Sequence, residues 1–319
     1  MKVSVLGCGR WGSFISWYLS GSGHEVLEWG REDSKSYITL KETGKNEYVT
    51  LNKNITLTSD LKSALDYADT IIISISSQGL REFMKNVNKY DVASKDFVLC
   101  MKGLETETGK RLSEIMFESG ISKDRVAVWV GPGHIQAFLE GMPNCMVIDS
   151  HNKSLTKKLA DKFRSDLIRF YYGDDLIGSE IGSASKNVIG IAAGMLDGGN
   201  YGTLKGPLMA RGAREIARLI KAMGGNELSA YGLCHLGDYE TTLFSPYSHN
   251  RNFGIKFVRG EKFEKLAEGV ATVKALKLLG EKYQVDLPIT NAVYSILYEN
   301  KNPMEVFLSL FSRTTRKEF

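Results

Sequence analysis

Over the first half of the chain, short runs of consecutive apolar residues alternate with helical patterns. Lys2–Leu6 is β-rich, and after it Phe14, Ile15, Tyr18 and Leu19 recur at helical spacing. His24–Trp29, Ile71–Ile75, Phe97–Met101, Val126–Val130 and Cys145–Ile148 are further apolar runs of strand length. Continuously apolar strands of this kind suit a mainly parallel sheet covered on both faces. From about Asp174 the strand signal fades and long helical patterns replace it, at Met209–Met223, Phe263–Lys282 and Ile289–Tyr298. Asn302-Pro303 opens a last helix, proline being suited to a helical first position. The pattern predicts an α/β chain with a doubly wound domain over residues 1–175 and an all-helical domain over residues 176–319.

Ser179–Gly194 is the least ordinary stretch. Ile181, Ala184, Val188, Ile191 and Met195 form one apolar stripe, while Lys186 shares the other face with Gly182, Ser183, Gly190 and Ala193. A lysine on a helix is usually a solvated surface charge. Here its neighbours are so small that the space around it suits either a second helix or a ligand.

Composition narrows the class. The 319 residues allow about two domains, and 43% hydrophobic with 24% charged residues is ordinary for a globular protein. A net charge of +4 with no lysine or arginine block gives no sign of nucleic-acid binding. The N-terminus lacks a signal-peptide h-region and no apolar run is long enough for a bilayer, so no membrane insertion and a cytoplasmic location are expected. Cys8, Cys100, Cys145 and Cys234 are widely separated and form no C-x-x-C pair, which fits free thiols in a reducing compartment. No metal-ligand spacing is present.

The chemistry begins with Gly7-Cys-Gly9-Arg10-Trp11-Gly12, which follows a strand and opens a helix. In a Rossmann-type fold the first glycine allows the tight turn and the second lets backbone approach a pyrophosphate. The third lets the helix pack close to the strand, and the phosphates sit at the helix N-terminus. Glycine-rich turns are common, so this context carries the assignment. At the end of the second strand Arg31 stands where an arginine accommodates a 2′-phosphate, although Glu32 and Asp33 follow it. NADP is therefore favoured slightly over NAD. Lys102, in Lys102-Gly103-Leu104-Glu105, and the loop Gly131-Pro132-Gly133-His134 also leave strand ends on the expected ligand side. Each alone reads as a plain loop. In the helical half, Leu236-Gly237-Asp238 precedes a cluster of polar donors in Ser248-His249-Asn250-Arg251, a set able to hold a phosphate. Arg211, Arg214 and Arg218 read as a solvated or packed helix face. A cleft where the two domains meet is the expected ligand site, and Lys186 lies near the start of the helical part.

These residues together resemble the bacterial-type NAD(P)-dependent glycerol-3-phosphate dehydrogenases over nearly the whole chain. The similarity is carried by the glycine turn, Lys102–Glu105, Gly131-Pro132, Ser185–Gly194, Leu236–Asp238, Ser248–Arg251 and Glu268-Gly269. Ser185-Lys186-Asn187 with its helix is the most specific of them, and Pro288-Ile289 with Val293-Tyr294 matches the family's tail. The resemblance implies the 6-phosphogluconate dehydrogenase-like two-domain fold. It implies reversible reduction of dihydroxyacetone phosphate to sn-glycerol 3-phosphate, with Lys186 catalytic and supported by Asp238 and Lys102. Cofactor contacts are then expected at Gly7, Gly9, Arg10, Trp11, Gly12, Arg31, Lys102, Ile135, His249, Leu266 and Glu268. Substrate contacts are expected at Lys102, Gly131, Gly133, Lys186, Asp238, Ser248, His249 and Asn250, with Lys205 nearby. A homodimer is the expectation from base rates.

Two departures matter. Gly133 stands where the family usually has serine or asparagine, and His249 stands where it has arginine. Histidine lacks the bidentate fork and the permanent charge, so either Arg251 or a lysine compensates, or affinity is weakened, or the substrate differs. A related two-domain dehydrogenase of another small anionic hydroxy compound, or a dinucleotide sensor without turnover, are the competing readings. The set Lys102, Lys186 and Asp238 argues against a sensor.

Overall fold

A computed structural model describes every residue except Arg316 and Phe319. Among the described residues there are eight strands: β1 (Lys2–Leu6), β2 (Glu25–Trp29), β3 (Thr56–Thr58), β4 (Thr70–Ile73), β5 (Asp96–Leu99), β6 (Val126–Val130), β7 (Asn144–Ser150) and β8 (Ile168–Tyr172). They form one sheet in the order β3-β2-β1-β4-β5-β6-β7-β8. Its first six strands have the doubly wound order, with the chain reversing direction across the sheet between β1 and β4. Neighbours are parallel except β6 and β7, which are antiparallel. The α/β doubly wound expectation is met.

β3 and β8 have no counterpart in the apolar runs of the sequence. Both are sheet edges. β8 exposes Tyr171 and Tyr172 and carries Arg169, so its residues are not uniformly apolar, and β3 has only three residues. An edge strand lacks a neighbour on one side, which removes the demand for apolar side chains that the central strands obey.

The chain divides into two compact units, Met1–Lys102 with Lys110–Glu180, and Gly103–Gly109 with Ile181–Phe319. The first holds the sheet and the helices α1 (Arg10–Gly21), α2 (Lys35–Thr43), α3 (Leu61–Tyr67), α4 (Leu80–Val87), α5 (Leu112–Glu118), α6 (Ile135–Leu139) and α7 (Lys153–Phe163). Its core packs Phe14 and Tyr18 of α1 with Trp129 of β6, Phe138 of α6 and Phe163 of α7. The second unit continues α8 (Leu176–Gly198) and adds α9 (Lys205–Ala222), α10 (His249–Val258), α11 (Glu268–Lys282), α12 (Pro288–Tyr298) and α13 (Pro303–Ser309).

The pattern over Phe263–Lys282 is shorter as a helix than the apolar spacing predicts. α11 starts only at Glu268: Ala267 before it is extended and buried, Leu266 is 64% exposed, and Phe263 packs on Phe253 and His249 from outside the helix. α8 is buried all round from Ser179 to Leu196. A helix apolar or small on every side lies inside its domain.

Glu28 of β2 is the unusual residue of the sheet. It is fully buried, and its Oε1 accepts 2.8 Å from Ser13 Oγ, which in turn accepts from Asn46 Nδ2. Oε2 meets no hydrogen-bond donor among the described residues. Desolvation pushes its carboxyl up from an ordinary 4.5 to about 7, against the smaller effect of the Ser13 bond. Between those values the native state binds more protons than the unfolded chain, so stability falls as pH rises. Above pH 7 the full cost of about 3 kcal/mol applies. Glu28→Gln, which mimics the protonated acid, is expected to match the wild type at pH 5 and exceed its stability by that order at pH 8. Urea unfolding at the two pH values checks this; an equal difference at both would remove Glu28 as the cause.

Candidate active site

In the first unit the glycine turn is built by contacts that leave no choice of residue at two positions. Gly7 has φ +122° and a Cβ there would lie 2.2 Å from the Ser74 carbonyl oxygen, at the end of β4. A Cβ on Gly12 would lie 1.6 Å from the Gly7 oxygen, which is how closely α1 approaches β1. Gly9 is different: a Cβ there meets nothing within 4 Å. It is the N-cap of α1, and no side chain caps that helix. An uncovered backbone at the positive end of a 12-residue helix fits a pyrophosphate. The dinucleotide of the sequence reading therefore has a cradle.

Around that turn, Arg10 lies over the Tyr48 ring at 5.2 Å and its Nη2 is 3.5 Å from Gln136 Oε1. Lys102 Nζ donates to the Gly131 carbonyl at 2.6 Å and stands 5.6 Å from the Trp11 ring centre. The loop after β5, the loop after β6 and the glycine turn thus converge, as their places at strand ends predict. Gly131 has φ +128°, with Met146 Cα 3.0 Å from where its Cβ would be. At Gly133 a Cβ would lie 2.4 Å from the Phe138 ring. A serine or asparagine needs that ring elsewhere, which accounts for one of the two departures. Ile135 opens α6 with its side chain fully buried, which leaves its backbone N–H at the helix start as the group for a ligand. Arg31 stands apart: its side chain is 72% exposed, with Asp33 at 3.8 Å.

In the second unit Lys186 is 7% exposed, contrary to the ordinary fate of a helical lysine. Its Nζ lies 3.0 Å from Asp238 Oδ2 and donates to Thr242 Oγ1 at 2.7 Å. Thr242 Oγ1 donates to the Asp238 carbonyl and Thr241 Oγ1 to the Asp238 carboxylate. Asp238 is fully buried, and Lys186 and Thr241 both engage its carboxylate there. The threonines are turned inward by a π-helical turn, Glu240–Phe244, a distortion that collects at functional sites. Thr242 escaped the sequence reading. Its spacing of four residues from Asp238 was the available signal, but such spacing is common.

The small face of α8 receives two helices as well as this ion pair. A Cβ on Gly194 would meet the Arg251 oxygen at 2.0 Å, one on Gly254 the Ile191 oxygen at 2.3 Å, and one on Gly269 the Asn187 oxygen at 2.7 Å. α10 and α11 therefore sit against α8 near van der Waals contact of their backbones. Asn250 Nδ2 donates to Asn187 Oδ1 at 3.0 Å and its Oδ1 accepts from the Gly269 amide at 2.9 Å. Ser248 caps α10 by accepting from Arg251 N at 3.3 Å. His249 Nδ1 lies 3.1 Å from the Leu266 carbonyl oxygen. This brings Ser248, His249, Asn250, Leu266 and Glu268 to the N-terminal ends of α10 and α11. Arg251 does not replace the missing arginine there: its Nε donates to Asp197 Oδ2 at 2.7 Å, and Lys205 Nζ binds the same carboxylate at 2.9 Å.

His235 supports the ion pair from behind. Burial is the main cause that pushes its imidazole down to about 4, so it is neutral at pH 7. The Gly182 oxygen can only accept, so Nδ1 carries the proton at 2.9 Å and Nε2 accepts from Tyr239 Oη at 2.7 Å. A neutral ring adds no second positive charge next to Lys186.

The chain is similar to known proteins over nearly its whole length. Residues 2–156 match the family described as NAD-dependent glycerol-3-phosphate dehydrogenase N-terminus, and residues 175–308 match the C-terminus of the same family. A Staphylococcus aureus protein named glycerol-3-phosphate dehydrogenase [NAD(P)+] is 34% identical, with 99% of each chain covered. The crystal structure of glycerol-3-phosphate dehydrogenase from Coxiella burnetii superimposes with a TM-score of 0.89 at 27% identity, over 98% of this chain and 99% of that one. The Saccharomyces cerevisiae enzyme, 21% identical with a TM-score of 0.79, shares the fold. Among the described residues no helix is long and apolar enough to cross a membrane.

Proposed function

The chain belongs to the NAD-dependent glycerol-3-phosphate dehydrogenase family, and from that premise we propose the roles of its residues. The protein is an NAD(P)-dependent oxidoreductase that interconverts dihydroxyacetone phosphate and sn-glycerol 3-phosphate. The observation that carries the site assignment is the buried Lys186–Asp238 pair.

The nicotinamide supplies the hydride at C2 when it is bound. Reduction leaves negative charge on the carbonyl oxygen, and the Lys186 ammonium both stabilises that charge and donates the proton. Asp238 and Thr242 fix the position of Nζ. In the oxidative direction the ammonium first gives up a proton to solvent, and the neutral Lys186 amine then takes the proton from the C2 hydroxyl. Ser248, His249 and Asn250, at the N-terminus of α10, receive the substrate phosphate, aided by the helix dipole. Lys102, Gly131 and Gly133 supply the remaining substrate contacts. Residues 1–175 hold the dinucleotide: Gly7, Gly9 and Gly12 on the pyrophosphate side, with Arg10, Trp11, Lys102 and Ile135 around it. His249, Leu266 and Glu268 contribute from the helical part, residues 176–319. Arg31, exposed and loosely held by Asp33, accepts a 2′-phosphate, giving a modest preference for NADP. The enzyme acts in the cytoplasm as a homodimer.

Oxidation of NADPH and of NADH, followed with dihydroxyacetone phosphate and with a panel of other keto compounds, tests the reading. Turnover with dihydroxyacetone phosphate, somewhat better with NADPH, is expected; turnover only with another compound would overturn the substrate assignment. His249→Arg restores a forked, permanent cation at the phosphate position and is expected to lower KM for dihydroxyacetone phosphate about tenfold, one charge-assisted pair being worth about 1.5–3 kcal/mol. An unchanged or raised KM would place the phosphate elsewhere.

A further inference from the structure

The three arginines of α9 that the proposed reaction does not use face a pocket of their own. Arg211, Arg214 and Arg218 recur at i, i+3 and i+7, so they share one side of the helix. With Arg313 and Lys317 they ring a cavity of about 580 Å³ in the second unit, within the range of about 300–1,000 Å³ typical of small-molecule sites. Below the cations the wall is apolar: Leu196, Leu208, Ile289 and Phe307 are buried there, and Phe311 stands beside them 62% exposed.

The charges are not balanced within the cavity. Asp286 and Glu318 are its acidic lining residues among those described, against five cations. Asp286 pairs with Arg313, and Glu227, outside the cavity, lies 3.8 Å from Arg214. The hydrogen bonds of Arg211 and Arg218 go to neutral main-chain oxygens, of Glu318 at 3.5 Å, and of Asp286 at 2.8 Å and Arg214 at 3.4 Å. Such bonds orient a guanidinium without cancelling its charge, while the Glu215 and Asp286 carboxylates offset part of the Arg218 charge. An apolar hollow alone would suit any greasy partner, and an arginine cluster alone would suit any anion. Their combination selects a molecule with both parts.

We propose that this pocket binds a soluble anionic amphiphile, with its apolar tail among Leu208, Ile289, Phe307 and Phe311 and its phosphate or carboxylate head at Arg211 and Arg218. Arginine forks suit either head. The site is separate from Lys186 and from the groups that receive the substrate phosphate, so it does not rest on the reaction proposed above.

The test is calorimetric titration of the full chain with decyl phosphate below its micelle concentration, in the presence of saturating glycerol 3-phosphate to exclude the active site. One saturable site per chain is expected, with decanol and inorganic phosphate each at least tenfold weaker. Arg211→Glu is expected to weaken decyl phosphate tenfold or more while the melting temperature and dihydroxyacetone phosphate reduction stay unchanged. Phe311→Asp should weaken it as well, through the tail. Equal binding of decanol, or undiminished binding by the folded Arg211→Glu variant, would overturn the proposal. Binding only to vesicles of phosphatidylglycerol would point to a membrane surface instead and also overturn it. So would a self-associated chain that Phe311→Asp disperses but decyl phosphate does not occupy.

Discussion

Lys186→Ala is expected to lower kcat about 10³-fold, the usual contribution of a positioned acid that also stabilises developing charge. Binding of NADPH should change less than about twofold, because the glycine turn that receives the pyrophosphate is built from other residues. The substitution has a second effect that must be kept apart from the first. Asp238 is fully buried, and without Lys186 its charge is uncompensated, a situation that costs about 3–5 kcal/mol. Lys186→Met combined with Asp238→Asn removes both charges and should recover most of the lost stability. It should recover none of the lost kcat. Stopped-flow measurement of the hydride step, together with thermal unfolding of both variants, checks the pair of outcomes. If kcat returned along with stability, Lys186 would be structural only.

The second large effect is expected at Gly9. Its φ of −81° and ψ of −166° suit any residue, and a Cβ there touches nothing. Gly9→Val should therefore fold with a stability within about 0.5 kcal/mol of the wild type, as surface substitutions do. Its side chain would nevertheless fill the space into which a pyrophosphate must come. NADPH and NADH affinities are expected to fall at least about 100-fold, or about 2.7 kcal/mol. Gly12→Ala provides the contrast, since its Cβ would lie 1.6 Å from the Gly7 oxygen and the fold itself must give. Equilibrium fluorescence titration and urea unfolding of the two variants separate the roles. Normal dinucleotide affinity in Gly9→Val would place the phosphates away from this turn.

Burial keeps the His235 imidazole neutral in the neighbourhood of the ion pair. A charged imidazole there would compete with Lys186 for Asp238, and burial prevents it.

Much of this protein is decided locally, and so is legible in the amino-acid order. Central strands between two helical layers must be apolar throughout, which is why β1, β4, β5 and β6 stand out. A glycine turn between a strand and a helix has few purposes, and Ser185-Lys186-Asn187 on a small-sided helix is specific enough to name a family. The edge strands β3 and β8 were not legible, because an edge is free of the packing demand that writes the pattern. Nor was the start of α11, where the preceding apolar residue Phe263 packs on Phe253 of α10 without being helical. The sequence marked Lys186 as the candidate catalytic lysine, but only the tertiary structure showed it buried and paired. That outcome depends on Asp238, 52 positions away, and on Thr242. It depends also on α10 and α11 closing over Gly194 and Gly269, contacts between segments that no periodicity within α8 contains. The same holds for Arg211, Arg214 and Arg218, whose spacing marks one helix face, while α12, α13 and the chain beyond them determine that the face looks into a cavity.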